Sequence, residues 1–270
     1  MPRKRQKNAK SRTPKTSRRH LTTTELRIAG SGPRLKTWKT LNQDIVDCKQ
    51  CARLRGYCQE IGLQKRRAYR DQSYWSRPVP NFGDLPAPIL FVGLAQGAHG
   101  ANRTGRMFTG DQSGVWLYRA LHRAGLASRA DSVGRDDGLV LRNCAITSVC
   151  HCAPPGNRPS VGELKNCRSW LEQSIDCSNP RVLVALGQIA WRGLVFFARS
   201  RRWLSERAPA FWHGRLLALA DGRWLLGSYH PSQQNTFTGR LTESMLDGIM
   251  GQATRLAELT LSPVRRQVIR

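Results

Sequence analysis

Acidic residues are scarce in this chain. Its 270 residues carry 18 Asp and Glu against 44 Lys and Arg, a formal net charge of +26. Such an imbalance speaks to partners rather than fold, and it predicts a polyanion, foremost nucleic acid, bound with strong salt dependence. Long apolar runs are missing too. No stretch approaches the roughly eighteen consecutive apolar residues that argue for a membrane-spanning helix, so no membrane partner is expected. The basic N-terminus has no apolar stretch behind it and is not a secretory signal. It shares the acid-poor, Arg- and Ser-rich composition of a transit peptide but lacks the amphipathic apolar face. Internal repeats are absent. The expected location is the cytoplasm, with the chain associated with the nucleoid through its charge.

Eight cysteines are present. In a chain of this size with no secretory signal they imply a reducing compartment, where clustered cysteines mean metal or catalysis. Residues 1–36 hold one acid, Glu25, and no apolar periodicity. They read as a disordered basic arm, either adding phosphate contacts or merely solvated. Residues 37–260 read as one folded domain with a sizeable core, and 261–270 as a basic tail. Four apolar runs suit strands buried on both faces: Pro88–Gly93, Cys144–Val149, Arg181–Leu186 and Trp224–Tyr229. Helical patterns cover Val115–Ala124, Ser160–Cys177, Gly187–Phe197 and Thr238–Leu259. The second of these opens with Ser160 and Glu163 at capping-box spacing. The alternation predicts an α/β class fold, a three-layer α/β/α sandwich around a central four-stranded, mainly parallel sheet.

In open parallel sheets, ligands bind beyond the carboxyl ends of the strands. That rule selects Gly93–Asp111, Cys150–Pro159 and His230-Pro231-Ser232, which are also the stretches of least ordinary composition. The first loop is glycine-rich, so its backbone can approach an anion, and it holds Arg103 and Arg106. It is neither a P-loop nor a dinucleotide fingerprint. Phe108 is either a stacking platform for a base or a core residue closing the loop. Asp111 suits a helix N-cap as well as an acid of a site. Asn157, on a Pro-Pro-Gly-Asn turn, is either a turn former or an amide able to read a base edge. His230 directly follows a strand and precedes proline, a ligand position rather than a core one. Cys48 and Cys51 form a C-x-x-C, and Cys152 and Cys167 can join them only through folding. Four such thiolates suit either zinc or an iron–sulfur cluster. Cys144 reads as an inert core cysteine, and Cys150 as a competitor for Cys152.

The segments GLAQGAHGANRTGRMFTGD, CAPPGNRPSVGELKNC and YHPSQQNTFTGRLT resemble, in order, the three signature regions of the family 5 (type b) uracil-DNA glycosylases. The resemblance runs from about Cys48 to about Asp247. It implies a 4Fe–4S cluster held by Cys48, Cys51, Cys152 and Cys167, structural rather than redox-active. It implies Asp111, Asn157 and His230 as catalytic residues, with Phe108, Gly93 and Ala95 also at the base. Ala95 stands where other branches place a polar water-activating residue, and Gln96 where the family commonly has proline. Arg103, Arg106, Ser232 and Leu241 are expected on the DNA, and Leu241 or Phe237 as the wedge that fills the gap in the base stack.

The implied activity is a monofunctional DNA glycosylase, a monomer acting on double-stranded and also single-stranded DNA. It would flip and excise uracil, with hypoxanthine and xanthine as further substrates. Two alternatives stand beside it: a uracil-restricted family 4 enzyme, and a non-catalytic zinc- or cluster-bearing nucleic-acid-binding module. The basic, Trp-containing region Arg199–Arg215 reads as an additional DNA-facing loop.

Overall fold

The computed structural model describes residues 36–205 and 209–259. The arm expected over 1–36, apart from Lys36, and the tail expected over 261–270 lie outside the described residues. Two helices that the sequence reading did not anticipate come first, α1 (Trp38–Val46) and α2 (Ala52–Gln64). Then follow β1 (Ile89–Gly93), α3 (Ala101–Thr104), α4 (Gln112–Arg123) and β2 (Cys144–Ser148). After them come α5 (Val161–Ser178), β3 (Val182–Leu186), α6 (Gln188–Ser200), β4 (Leu216–Ala218) and β5 (Trp224–Ser228). The described chain closes with α7 (Gln233–Phe237) and α8 (Glu243–Leu259).

The sheet runs β2-β1-β3-β5-β4, with its first four strands parallel. Among the described residues the sheet thus has five strands rather than the four expected. β4 pairs antiparallel with β5 at the sheet's edge. It is only three residues long and partly exposed, so it has neither the length nor the two-sided burial of the others. A signal for it existed in Asp221-Gly222, a tight-turn pair between two apolar runs, with Gly222 at φ 90°.

Alternate residues of the buried strands feed two cores. Ile89, Phe91, Val182 and Val184 pack with Leu117, Leu121, Ile249 and Met250 of α4 and α8. Leu90, Val92, Leu183 and Ala185 pack with Leu171, Ile175, Trp191 and Leu194 of α5 and α6. This is the expected sandwich. The helix expected over Thr238–Leu259 is α8, which starts only at Glu243, and the short α7 precedes the expected range. Gly239 takes a left-handed φ of 71°, which ends α7 and re-aims the chain into α8.

Two residues expected on the DNA are built into the fold. Leu241 is fully buried in the α4–α8 core, because its leucyl side chain has apolar neighbours there and no route to solvent. It is not the wedge. Arg106 is 3% exposed and ion-paired to Asp137, whose side chain is largely buried, with Thr109, Ser132 and the Arg135 carbonyl taking its other N–H groups. Desolvation opposes the Asp137 charge. Arg106 and the N–H groups of Leu139, Val133 and Gly134 outweigh it and hold the carboxyl far below its usual range. Asp137 therefore contributes stability above the ordinary aspartate pKa of about 4, lost as the pH falls toward the depressed value. Arg106→Ala leaves that carboxylate without its main partner, and should cost about 3–5 kcal/mol of unfolding free energy in a denaturant titration. Unchanged stability with a weaker salt dependence of DNA binding would instead restore Arg106 as a phosphate contact.

Candidate active site

Strand register decides where the site lies. Gly93 is paired with Ser148 and Leu186 with Ser228, so the strands end level and the three selected loops leave one edge of the sheet. Between them opens a groove of about 1150 Å³. Ala95, Phe108, Asp111, Asn157, His230 and Ser232 all line it. Among the lining residues none is a lysine.

Phe108 adopts a left-handed φ of 52°, a strained conformation for a bulky residue, and presents its ring to the site. That ring lies 5.8 Å from the His230 ring, tilted by 31°. Two glycines make the pose possible. A Cβ on Gly93 would approach the Phe108 ring to 3.0 Å, and one on Gly114 would collide with the Phe108 carbonyl oxygen.

Asp111 is the N-cap of α4, its Oδ1 accepting from the Gly114 N–H at 3.1 Å. The capping role anticipated as an alternative is thus present. The other oxygen, Oδ2, faces Gly97 and Gly100, where a Cβ on Gly97 would lie 2.7 Å away and one on Gly100 would clash. Burial raises the Asp111 pKa, against the hydrogen bonds from Gly114 and Ser113 and the nearby Arg103 charge. His230 sits on the groove wall with its pKa lowered to about 4 by burial, so its imidazole is neutral at pH 7. The Asn235 amide fixes the turn beneath it by donating to the His230 carbonyl at 2.8 Å. Asn157 stands exposed on a 3-10 turn with a left-handed φ of 56°, its N–H donating to Pro154 O.

The remaining expected DNA contacts divide. Ser232 is the N-cap of α7 by position but makes no side-chain capping bond, which leaves its hydroxyl to the groove. Arg103 is corrected to a loop-shaping role. It is 8% exposed, with its guanidinium spent on the His99 and Gly110 carbonyls, the Gln72 amide and the Tyr69 ring face. Phe237 is 76% exposed at the end of α7. In the Arg199–Arg215 region residues 206–208 lie outside the described set, and Trp212 is exposed against Tyr229.

Several groove residues escaped the sequence reading. His99 lies beside the Tyr74 hydroxyl at 3.0 Å, and Tyr57, Arg66 and Tyr69 reach in from the N-terminal segment. The mixed aromatic and basic run from Tyr57 to Trp75 was the available signal. Gln96 is buried, its amide donating to Ser148 Oγ at 2.8 Å and to the Cys150 carbonyl at 3.3 Å.

Cys48, Cys51, Cys152 and Cys167 line one small cavity beside the groove's second loop. They share it without converging on one ion position: among the described residues no three His, Cys, Asp or Glu side chains do so. Cys150 and Cys58 are buried behind this lining, their thiols bonded to the backbone of Cys152 and Ala153. Cys144 belongs to the sheet core, its pKa pushed up to about 12 by burial.

Comparison with known proteins agrees with this architecture. Residues 80–252 match the profile of the Uracil DNA glycosylase superfamily. A Type-5 uracil-DNA glycosylase of Mycobacterium leprae is 49% identical over 219 residues, covering 80% of this chain and 94% of that protein. One from Thermus thermophilus is 46% identical over 218 residues, covering 80% and 97%. A Type-4 enzyme of Pyrobaculum aerophilum is 32% identical over 161 residues, covering 59% and 74%. The chain belongs to the uracil-DNA glycosylase superfamily and groups with its type-5 members.

Proposed function

We propose that this chain hydrolyses the N-glycosidic bond of uracil in DNA, leaving an abasic site for repair. The observation that carries the reading is the convergence of Phe108, Asp111, Asn157 and His230 on one groove, in a chain close to the Type-5 enzymes over nearly their whole length. The damaged nucleotide flips out of the duplex, because its reacting bond is unreachable inside the stack. Its base stacks on Phe108, and the Asn157 amide offers a donor and an acceptor to its edge. Phe237, exposed at the end of α7, fills the vacated place in the stack.

Bond cleavage puts negative charge on the departing base and positive charge on the sugar. His230, neutral at pH 7, donates one N–H to the base anion. Asp111 in its ionised form orients water or stabilises the sugar cation. Among the described residues that line the groove there is no lysine to form a Schiff base, which supports a monofunctional enzyme. Ala95 adds no polar group to the first loop, and the groove is wide. Both features support hypoxanthine and xanthine as further substrates.

Cys48, Cys51, Cys152 and Cys167 would hold a 4Fe–4S cluster. Four cysteines lining one cavity supply the thiolate set that such a cluster takes, and the family resemblance favours the cluster over zinc. Bound there, the cluster supplies structural cross-linking of the segments carrying its ligands.

Duplexes with a single uracil, hypoxanthine or xanthine, treated with protein and then alkali, test the activity. Strand breaks are expected at all three. None at uracil overturns the function, and breaks at uracil alone remove the wider substrate range.

His230→Ala should slow single-turnover excision about 100- to 1000-fold, as loss of an oxyanion-type donor does. A wild-type rate would refute the role. For Asp111 the acid limb of the rate should lie above the ordinary aspartate pKa of about 4, because the folded environment raises it. The same shift means that its charge costs stability at neutral pH, a cost that vanishes as the pH falls through the raised value. Asp111→Asn, an equally good cap, should therefore unfold no more easily than wild type at pH 7 yet lose excision rate. Full activity would leave Asp111 as a cap alone.

A further inference from the structure

Helix α5 carries more toward the cysteine cavity than its ligand. Asn166 adjoins Cys167 in sequence, and Trp170, three residues beyond Cys167, shares its side of the helix. All three line the cavity. The Asn166 amide Nδ2–H donates to Cys51 Sγ at 3.4 Å. The Trp170 indole Nε1–H is buried and meets no acceptor. Indole N–H is a donor only, so what it lacks is an acceptor. A buried donor left unpaired costs about 1–3 kcal/mol, and native folds rarely tolerate one without a bound group nearby. Among the acceptors lining the cavity are the four cysteine sulfurs and His151 Nε2, which is itself unpartnered and so does not take the indole N–H.

We propose that Trp170 Nε1–H and Asn166 Nδ2–H are hydrogen-bond donors to the sulfur atoms of the bound cluster, with Trp170 a positioning residue that holds it in the cavity. This rests on the cluster reading above. Donation draws electron density from sulfur and lengthens its bond to iron. It also gives the indole N–H an acceptor.

The test uses the full chain purified without oxygen. Wild type should be brown. Trp170→Phe keeps an aromatic ring and removes the N–H. A benzothienylalanine at position 170 keeps the bicyclic shape and removes only the N–H, which guards against misfolding of the first variant. In resonance Raman spectra the iron–sulfur stretching bands should move to higher frequency in the variant that loads cluster. Their small shift on transfer to deuterium oxide should shrink. Loss of the cluster to a chelator should become about tenfold faster, as with other partners that support metal ligands. A brown wild type whose bands and loss rate match those of the benzothienyl variant overturns the inference while leaving the cluster in place. A colourless, zinc-loaded wild type overturns the cluster reading itself.

Discussion

Parallel pairing of β2, β1, β3 and β5 with level carboxyl ends is the constraint on which the site depends. Both faces of these strands are buried, so polarity alone does not punish a one-residue slip of register as it would in a half-exposed sheet. Shape does it instead. Gly93 must face the Phe108 ring, and Gly227 must lie under the Trp212 carbonyl, where a Cβ would come within 2.7 Å. Slipping either strand would drive a branched side chain into those contacts. Small residues near the strand ends thus pin the register, and the register brings the three loops together.

Asp111 shows how one side chain serves fold and site at once. Its two oxygens have different surroundings, one closing the first turn of α4, the other in the space left by Gly97 and Gly100. Capping fixes the carboxylate's direction, and the missing side chains give it room. The raised pKa follows from this enclosure. An aspartate kept only for capping would be better placed in solvent, where its charge costs nothing. Its raised pKa is a stability cost that the role proposed for it would explain.

The parallel core was legible because its strands are apolar runs bounded by turn signals, and helix α5 because Ser160 and Glu163 form the full capping box. The residues at strand ends were legible through topology, since that rule needs only strand positions. Side-chain destinations were not. Arg106 and Arg103 look like free cations in a glycine-rich loop, yet tertiary partners distant in sequence, Asp137 and Gln72, claim them. Leu241 and Phe237 are both apolar residues in the last signature segment. Only the break at Gly239 decides that the first turns inward and the second outward. The N-terminal helices were missed because α1 and α2 bury few residues each, leaving short and weak periodicity.

The cysteine cavity and the groove are joined by backbone rather than by proximity alone. Val149 and Cys150 donate their N–H groups to Gly93 and Leu94, extending the β1–β2 pairing past the strand ends. The Cys150 carbonyl then accepts from Gln96 and from Ser148 Oγ, at 3.3 and 2.9 Å. Two residues later the chain supplies Cys152, and five beyond that Asn157. The proposed cluster, bound at Cys152, would therefore fix the start of a turn whose far end lines the groove, while Gln96 fixes the first loop against the Cys150 carbonyl. Each hydrogen bond of this kind is worth only about 1 kcal/mol net. Their effect is geometric: they hold both loops at one carbonyl, two residues before Cys152. An influence of the proposed cluster on catalysis would thus need no electron transfer, only the positional tolerance of Asn157 and Phe108 across a groove built from three loops.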